Sequence, residues 1–193
     1  MSRPRLAKLV LNELDDDQRA VYDAIAAGPR AQGPQLFRLV DDQGRLEGPF
    51  NAFLVQPHLG AALQALGSAV RFQTALSGRA REIAILVVAR HWDSAFEWYA
   101  HEAVGRHAGL TDDELLALKD GEYDILPPAE ALIARAAAEL VAGGDLADDG
   151  YDQLVTALGV AGVFELTTLV GYYATLALQL RVFRVPLPGE QAP

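Results

Sequence analysis

The sequence predicts an all-α fold, and three features carry that prediction. Apolar residues recur at three- and four-residue spacing through most of the chain, no segment alternates apolar and polar residues between hairpin turns, and helix start and stop residues come in pairs. A first helix is expected over 15–27, with Asp15, Asp16 and Asp17 at its positive end and Gly28 and Pro29 stopping it. GPR, QGP, DDQG and EGP make 30–57 mostly loop, with a short extended or helical piece at 35–40. Pro57 opens a helix to 72 that carries Leu59, Leu63, Leu66 and Val70 on one face. Ser77 and Gly78 open the next, over 79–92, and another begins near Ser94 and stops at Gly109. Thr111 with Glu114 forms a capping-box pattern for a short helix to Lys119, and Pro127 and Pro128 open one to Ala142. Two more follow, over 147–158 and over the long apolar stretch 160–183, and the tail after Pro186 is expected to be loose.

Composition narrows the function classes. At 193 residues the chain has the size of one domain, able to bury roughly 70% of its unfolded surface. A net charge of -10 opposes nucleic-acid binding, because phosphate neutralisation needs a basic face. The chain has no cysteine, which removes disulfides, thiolate metal sites and thiol-based catalytic cycles together. No apolar signal segment follows Met1, so a cytoplasmic location is the expectation. The most membrane-like run, 166–178, is thirteen uncharged residues, too short to span, and is expected to be buried in a protein or an oligomer rather than in a membrane.

Chemistry-bearing residues crowd into HWDSAFEWYAHE, residues 91–102. Glu97 and His101 are four residues apart, hence on one helical face and within reach of each other, and a carboxylate that orients an imidazole is a general acid/base arrangement. Ser94 and Glu97 also fit a capping box, in which Glu97 would turn back to the Ser94 amide and do no chemistry. Glu82 stands out in the otherwise apolar helix REIAILVVARHW. It either keeps its head in water near the positive helix end or is delivered into a dry pocket where proton transfer becomes useful. His58, His91 and His107 form no metal-binding motif with Glu97 and His101, so no metal is expected. There is no phosphate-cradling glycine motif and no nucleophile elbow.

Glu82 followed by HWDSAFEWYAHEAVGRHAGLTDDEL resembles the carboxymuconolactone decarboxylase and AhpD-like family. In the thiol peroxidase branch a glutamate precedes C-x-x-C and a histidine; the matching positions here are Glu82, Ser94, Glu97 and His101. With both cysteines replaced, the chain resembles the cysteine-free branch, and the peroxidase activity does not carry over. GPFNAFLVQPHLGAALQALGSAVR and ELTTLVGYYATLALQLRVF extend the resemblance over 48–183, flanked by an N-terminal helix and loop extension, 1–47, and a C-terminal tail, 184–193. The resemblance implies an AhpD-like helical domain assembled into a trimer or hexamer, and a cofactor-free pocket near subunit contacts that takes a small molecule. Decarboxylation of a carboxylated lactone needs a proton donor, a stabiliser of the developing anion and dry walls. On that reading His101 donates, Glu97 orients it and Glu82 completes a relay. Phe50, Phe53, Trp92 and Trp98 line the pocket, and Arg90 or Arg81 holds the carboxylate. A noncatalytic oligomeric binding protein, or a lactone isomerase or hydrolase, are the alternatives.

Overall fold

The computed structural model describes residues 3–32 and 34–189. Helices account for its regular structure: α1 (Asp16–Ala26), α2 (Pro49–Phe53), α3 (Pro57–Phe72), α4 (Gly78–His91), α5 (Ala95–His107), α6 (Asp112–Asp120), α7 (Pro128–Gly143) and α8 (Asp148–Phe183), with 3-10 turns at Leu11–Glu13 and Pro29–Ala31. An isolated antiparallel bridge, Val40 with Leu46, is the only β pairing among the described residues, so the all-α expectation holds.

α4 is the hub, because it is apolar nearly all round. Ile83, Ala84, Ile85 and Leu86 are fully buried, and α5, α6, α7 and α8 pack around them. Local chemistry sets most helix ends where the sequence places them. Ser77 accepts from the Ala80 amide to start α4, and Asp15 with Gln18 and Thr111 with Glu114 form complete capping boxes for α1 and α6. Gly159, at φ 70° and ψ 168°, breaks the last helix at the boundary expected between 158 and 160.

Three expectations need correction. The piece expected at 35–40 is not a helix or a strand beyond the Val40 bridge, and the short α2 lies in what reads as loop. At five residues α2 is too short for a periodic signal, and it begins on Pro49 after Gly48, whose φ of 60° and tight approach to Phe96 exclude a side chain. On α3, the buried face is Gly60, Gln64, Gly67 and Val70, while Leu59 and Leu66 are exposed. Small residues win there because a Cβ on Gly60 would collide with the Phe53 backbone, so close approach of α2 selects the glycine face.

The N-terminal segment is tied to the helical body. The Leu9 amide donates to Asn51 Oδ1 at 2.9 Å, Asn51 Nδ2 donates to the Ala7 carbonyl at 3.1 Å, and Lys8 pairs with Glu47 at 2.7 Å. Within the tail, Leu187 packs against the small cluster of Phe96, Ala100 and Leu180; residues 190–193, where the sequence also predicts looseness, lie outside the described residues.

Helix α8 is long and apolar enough to cross a membrane, with a mean hydropathy of 1.8 over its best window. Its inner face nevertheless belongs to the protein core, through Leu166, Leu169, Tyr173 and Leu176, and Glu165 accepts hydrogen bonds from the Ala75 and Leu76 amides. Outward, Val160, Phe164, Leu178 and Val182 remain exposed around Thr167 and Gly171.

Candidate active site

The turn between α4 and α5 builds the site. The Trp92 amide donates to Val88, Asp93 takes a left-handed φ of 49°, and the Ser94 amide donates back to Ala89 at 2.9 Å, so α5 leaves at once in the opposite direction. The packing of α5 against α4 brings Glu82 and His101 together: His101 Nδ1 lies 2.6 Å from Glu82 Oε2, and both side chains are buried.

His101 Nε2 faces the second carboxylate, Glu97 Oε2, at 3.4 Å, as the four-residue spacing requires. The capping-box alternative for Glu97 does not form: Ser94 makes no side-chain cap bond, and Glu97 is buried on the His101 face. Glu82 makes the shorter of the two contacts to the imidazole, at Nδ1, and Glu97, expected to orient the ring, stands at Nε2. A carboxylate is an acceptor, so Nδ1 carries the proton and donates to Glu82, and Nε2 is turned toward Glu97. Tyr173 of α8 presents its edge to the imidazole at a centroid distance of 5.0 Å, and Tyr172 packs edge-on against Tyr173.

Glu82 has no exposed surface, so the alternative with its head in water is excluded. Burial alone would push its carboxyl up. The charge and hydrogen bond of His101, then Arg71 and Arg81, outweigh that and hold it below the ordinary carboxylate range. Arg81 Nε lies 3.6 Å and Arg71 Nη1 3.9 Å from Glu82 Oε1.

Of the residues expected to line a pocket, Phe50 and Phe53 pack edge-on against each other in the main core. Trp92 is half-buried beside His91, and Trp98 lies under the Lys119 ammonium on the α6 side. Arg90 is drawn elsewhere: its exposed guanidinium donates to the Lys119 and Asp120 carbonyls at the C-terminal end of α6. Its place beside the carboxylates is taken by Arg81, named as its alternative, and by Arg71. Arg71 and Tyr173 carry no local signal in the sequence, since they come from α3 and α8 and meet the site only through tertiary packing.

Among the described residues, these features define a helical domain in which a buried imidazole stands between two buried carboxylates, one of them beside the Arg71 and Arg81 guanidiniums. No family profile matches the sequence, and no curated protein sequence matches it. At the level of structure the chain has the AhpD-like fold. It is similar to the AhpD-core, peroxidase-related protein of Ralstonia eutropha JMP134 (TM-score 0.76, 13% identity, 98% of this chain and 95% of that one). A peroxidase-related protein of Silicibacter sp. TM1040 superposes with a TM-score of 0.74 at 13% identity, over 98% of this chain and 94% of that one. The debrominase Bmp8, in a complex with 2,3,4-tribromopyrrole, matches at TM-score 0.72 and 10% identity, over 94% and 90% of the two chains.

Proposed function

We propose that this chain is a cofactor-free acid/base enzyme of the decarboxylase type, acting on a small carboxylated lactone or related cyclic acid. The observation that carries the proposal is the buried Glu82–His101–Glu97 line, with 2.6 Å and 3.4 Å separations at the two ring nitrogens. Burying three ionisable side chains is unfavourable unless they pair, and such clusters concentrate where protons are moved. The absence of cysteine leaves no thiol for the peroxidase chemistry associated with other proteins of this fold.

In the proposed reaction the bond between the ring carbon and its carboxylate breaks and carbon dioxide leaves. The electron pair of that bond passes through the conjugated system onto the lactone carbonyl, and the carbon then takes a proton from Nε2 of the His101 imidazolium. Glu82 keeps Nδ1 protonated and the ring oriented, Glu97 stabilises the imidazolium, and solvent returns the proton. The tribromopyrrole bound by one structural neighbour is likewise a small ring, which supports a cyclic substrate. We also propose self-association, into a trimer or hexamer, because Val160, Phe164, Leu178 and Val182 leave an apolar stripe along α8.

The test is His101→Gln assayed on a carboxylated butenolide. Turnover is expected to fall by about 10² to 10⁴ with the helical circular dichroism unchanged. Unchanged kcat/KM would overturn the acid/base assignment, whereas an inactive wild type on that compound would overturn only the choice of substrate.

A further inference from the structure

Helices α1 and α3 pack against each other with their N-terminal ends together, Asp17 standing 3.9 Å from His58. A cleft of about 400 Å³ opens between them. Its α1 wall is Ala20, Val21 and Ala24, and its α3 wall is Ala61, Gln64 and Ala65. Spacings of three and four put each set on one helical face, and alanine ends at Cβ, so the walls stand apart where longer side chains would have met. Ala20, Ala24, Ala61 and Ala65 are all exposed, unlike Ala84, Ala134 and Ala137, which the core covers completely.

A polar group lies at the bottom of this apolar cleft. Gln64 is 6% exposed, its Oε1 is sealed from solvent without a hydrogen-bond partner, and no hydrogen bond joins its amide to the described residues. A buried amide left unpaired is unfavourable, and methionine would fill the same space without that cost. The amide is accounted for if a molecule that enters the cleft pairs with it. The terminal torsion of glutamine is broad, so either edge of the amide can turn toward such a molecule.

The chemistry of the occupant follows from the amide and the surrounding charge. A donor and an acceptor side by side match a primary carboxamide, which returns both bonds at once. Acids are disfavoured: the charged groups at the cleft are Asp17 and, when protonated, His58, and α1 adds Asp16 and Asp23 against Arg19. Further along α3, Arg71 is turned to Glu82. We propose that the cleft between α1 and α3 binds a small uncharged carboxamide, its amide paired with Gln64 and its apolar body laid over the four exposed alanines. The volume falls within the range of small-molecule sites. Glu82, Glu97 and His101 do not line the cleft, so this site is separate from the acid/base cluster and does not rest on it.

The experiment is a calorimetric titration of the full-length chain with para-butylbenzamide, methyl para-butylbenzoate and para-butylbenzoate, which share one apolar body. Wild type is expected to bind the amide about tenfold more tightly than the ester, and the acid most weakly. Gln64→Met should erase the preference for the amide over the ester. Without ligand its urea midpoint should equal or exceed that of wild type, since the substitution removes a polar group that has no partner. Ala61→Phe, at an exposed helical position, should fill the cleft and abolish binding of the amide. The proposal is overturned by a wild type that does not prefer the amide, by a preference that survives Gln64→Met, or by amide binding that survives Ala61→Phe. A lower midpoint in Gln64→Met overturns it too, by making Gln64 a structural residue. Failure of all three probes to bind, together with a changed sedimentation coefficient in Ala61→Phe, would overturn it in favour of a contact between copies of the chain.

Discussion

Glu82→Gln tests the centre of the site. Glutamine preserves the shape of the side chain, and its oxygen can still accept from His101 Nδ1, but the substitution removes the charge that faces His101, Arg71 and Arg81. Its amide then directs donors at the guanidiniums, which are donors themselves. Breaking a buried ion pair costs about 3 to 5 kcal/mol, and the surviving neutral hydrogen bond returns part of this, so a loss of about 2 to 4 kcal/mol is expected. With a urea slope of about 2 kcal/mol per molar, the unfolding midpoint should fall by about 1 to 2 M, measured at one fixed protomer concentration. The pH dependence gives an independent sign. The folded carboxyl of Glu82 sits below its ordinary value of 4.5, so its stabilisation is fully present above that pH and is lost as pH falls toward the folded value. Between those limits the gap between wild type and Glu82→Gln should close by roughly 1.4 kcal/mol per pH unit. A variant as stable as wild type at pH 7, or a gap that stays constant from pH 6 down to pH 3, would refute the claim that a paired, ionised carboxylate lies at the core of the site.

Glu97→Gln should leave the urea midpoint almost unchanged while lowering turnover by about 10² to 10⁴, and Ser94→Ala should affect neither, because no cap bond joins these two residues. Loss of stability without loss of turnover in Glu97→Gln would return that residue to a structural role. For assembly, Phe164 is 71% exposed on the α8 stripe, and Phe164→Asp should convert the proposed oligomer to monomer in sedimentation velocity. A wild type that is already monomeric at micromolar concentration contradicts this expectation directly.

What the sequence determined by itself was whatever is decided within a few residues along the chain. Proline at first helical turns, Ser77 and Thr111 as caps, and Gly159 at the break between the last two helices all act locally, and helices form where those signals place them. The Glu97–His101 spacing is equally local, since a helix puts positions four apart on one face whatever surrounds it. Tertiary structure decided the rest. Which face of α3 turned inward depended on how closely α2 approached Gly60, and that contact outweighed the apolar stripe of Leu59 and Leu66. Whether Glu97 capped its own helix or faced His101 depended on burial. The strongest partner of His101 came from nineteen residues earlier on α4, brought into line by the turn at Asp93. Arg71 from α3 and Tyr173 from α8 joined the same cluster, while Arg90, close in sequence, turned away to end α6. Helical periodicity ranks residues by face but not by what each face meets, and the meeting of four helices around one imidazole exists only once they have packed.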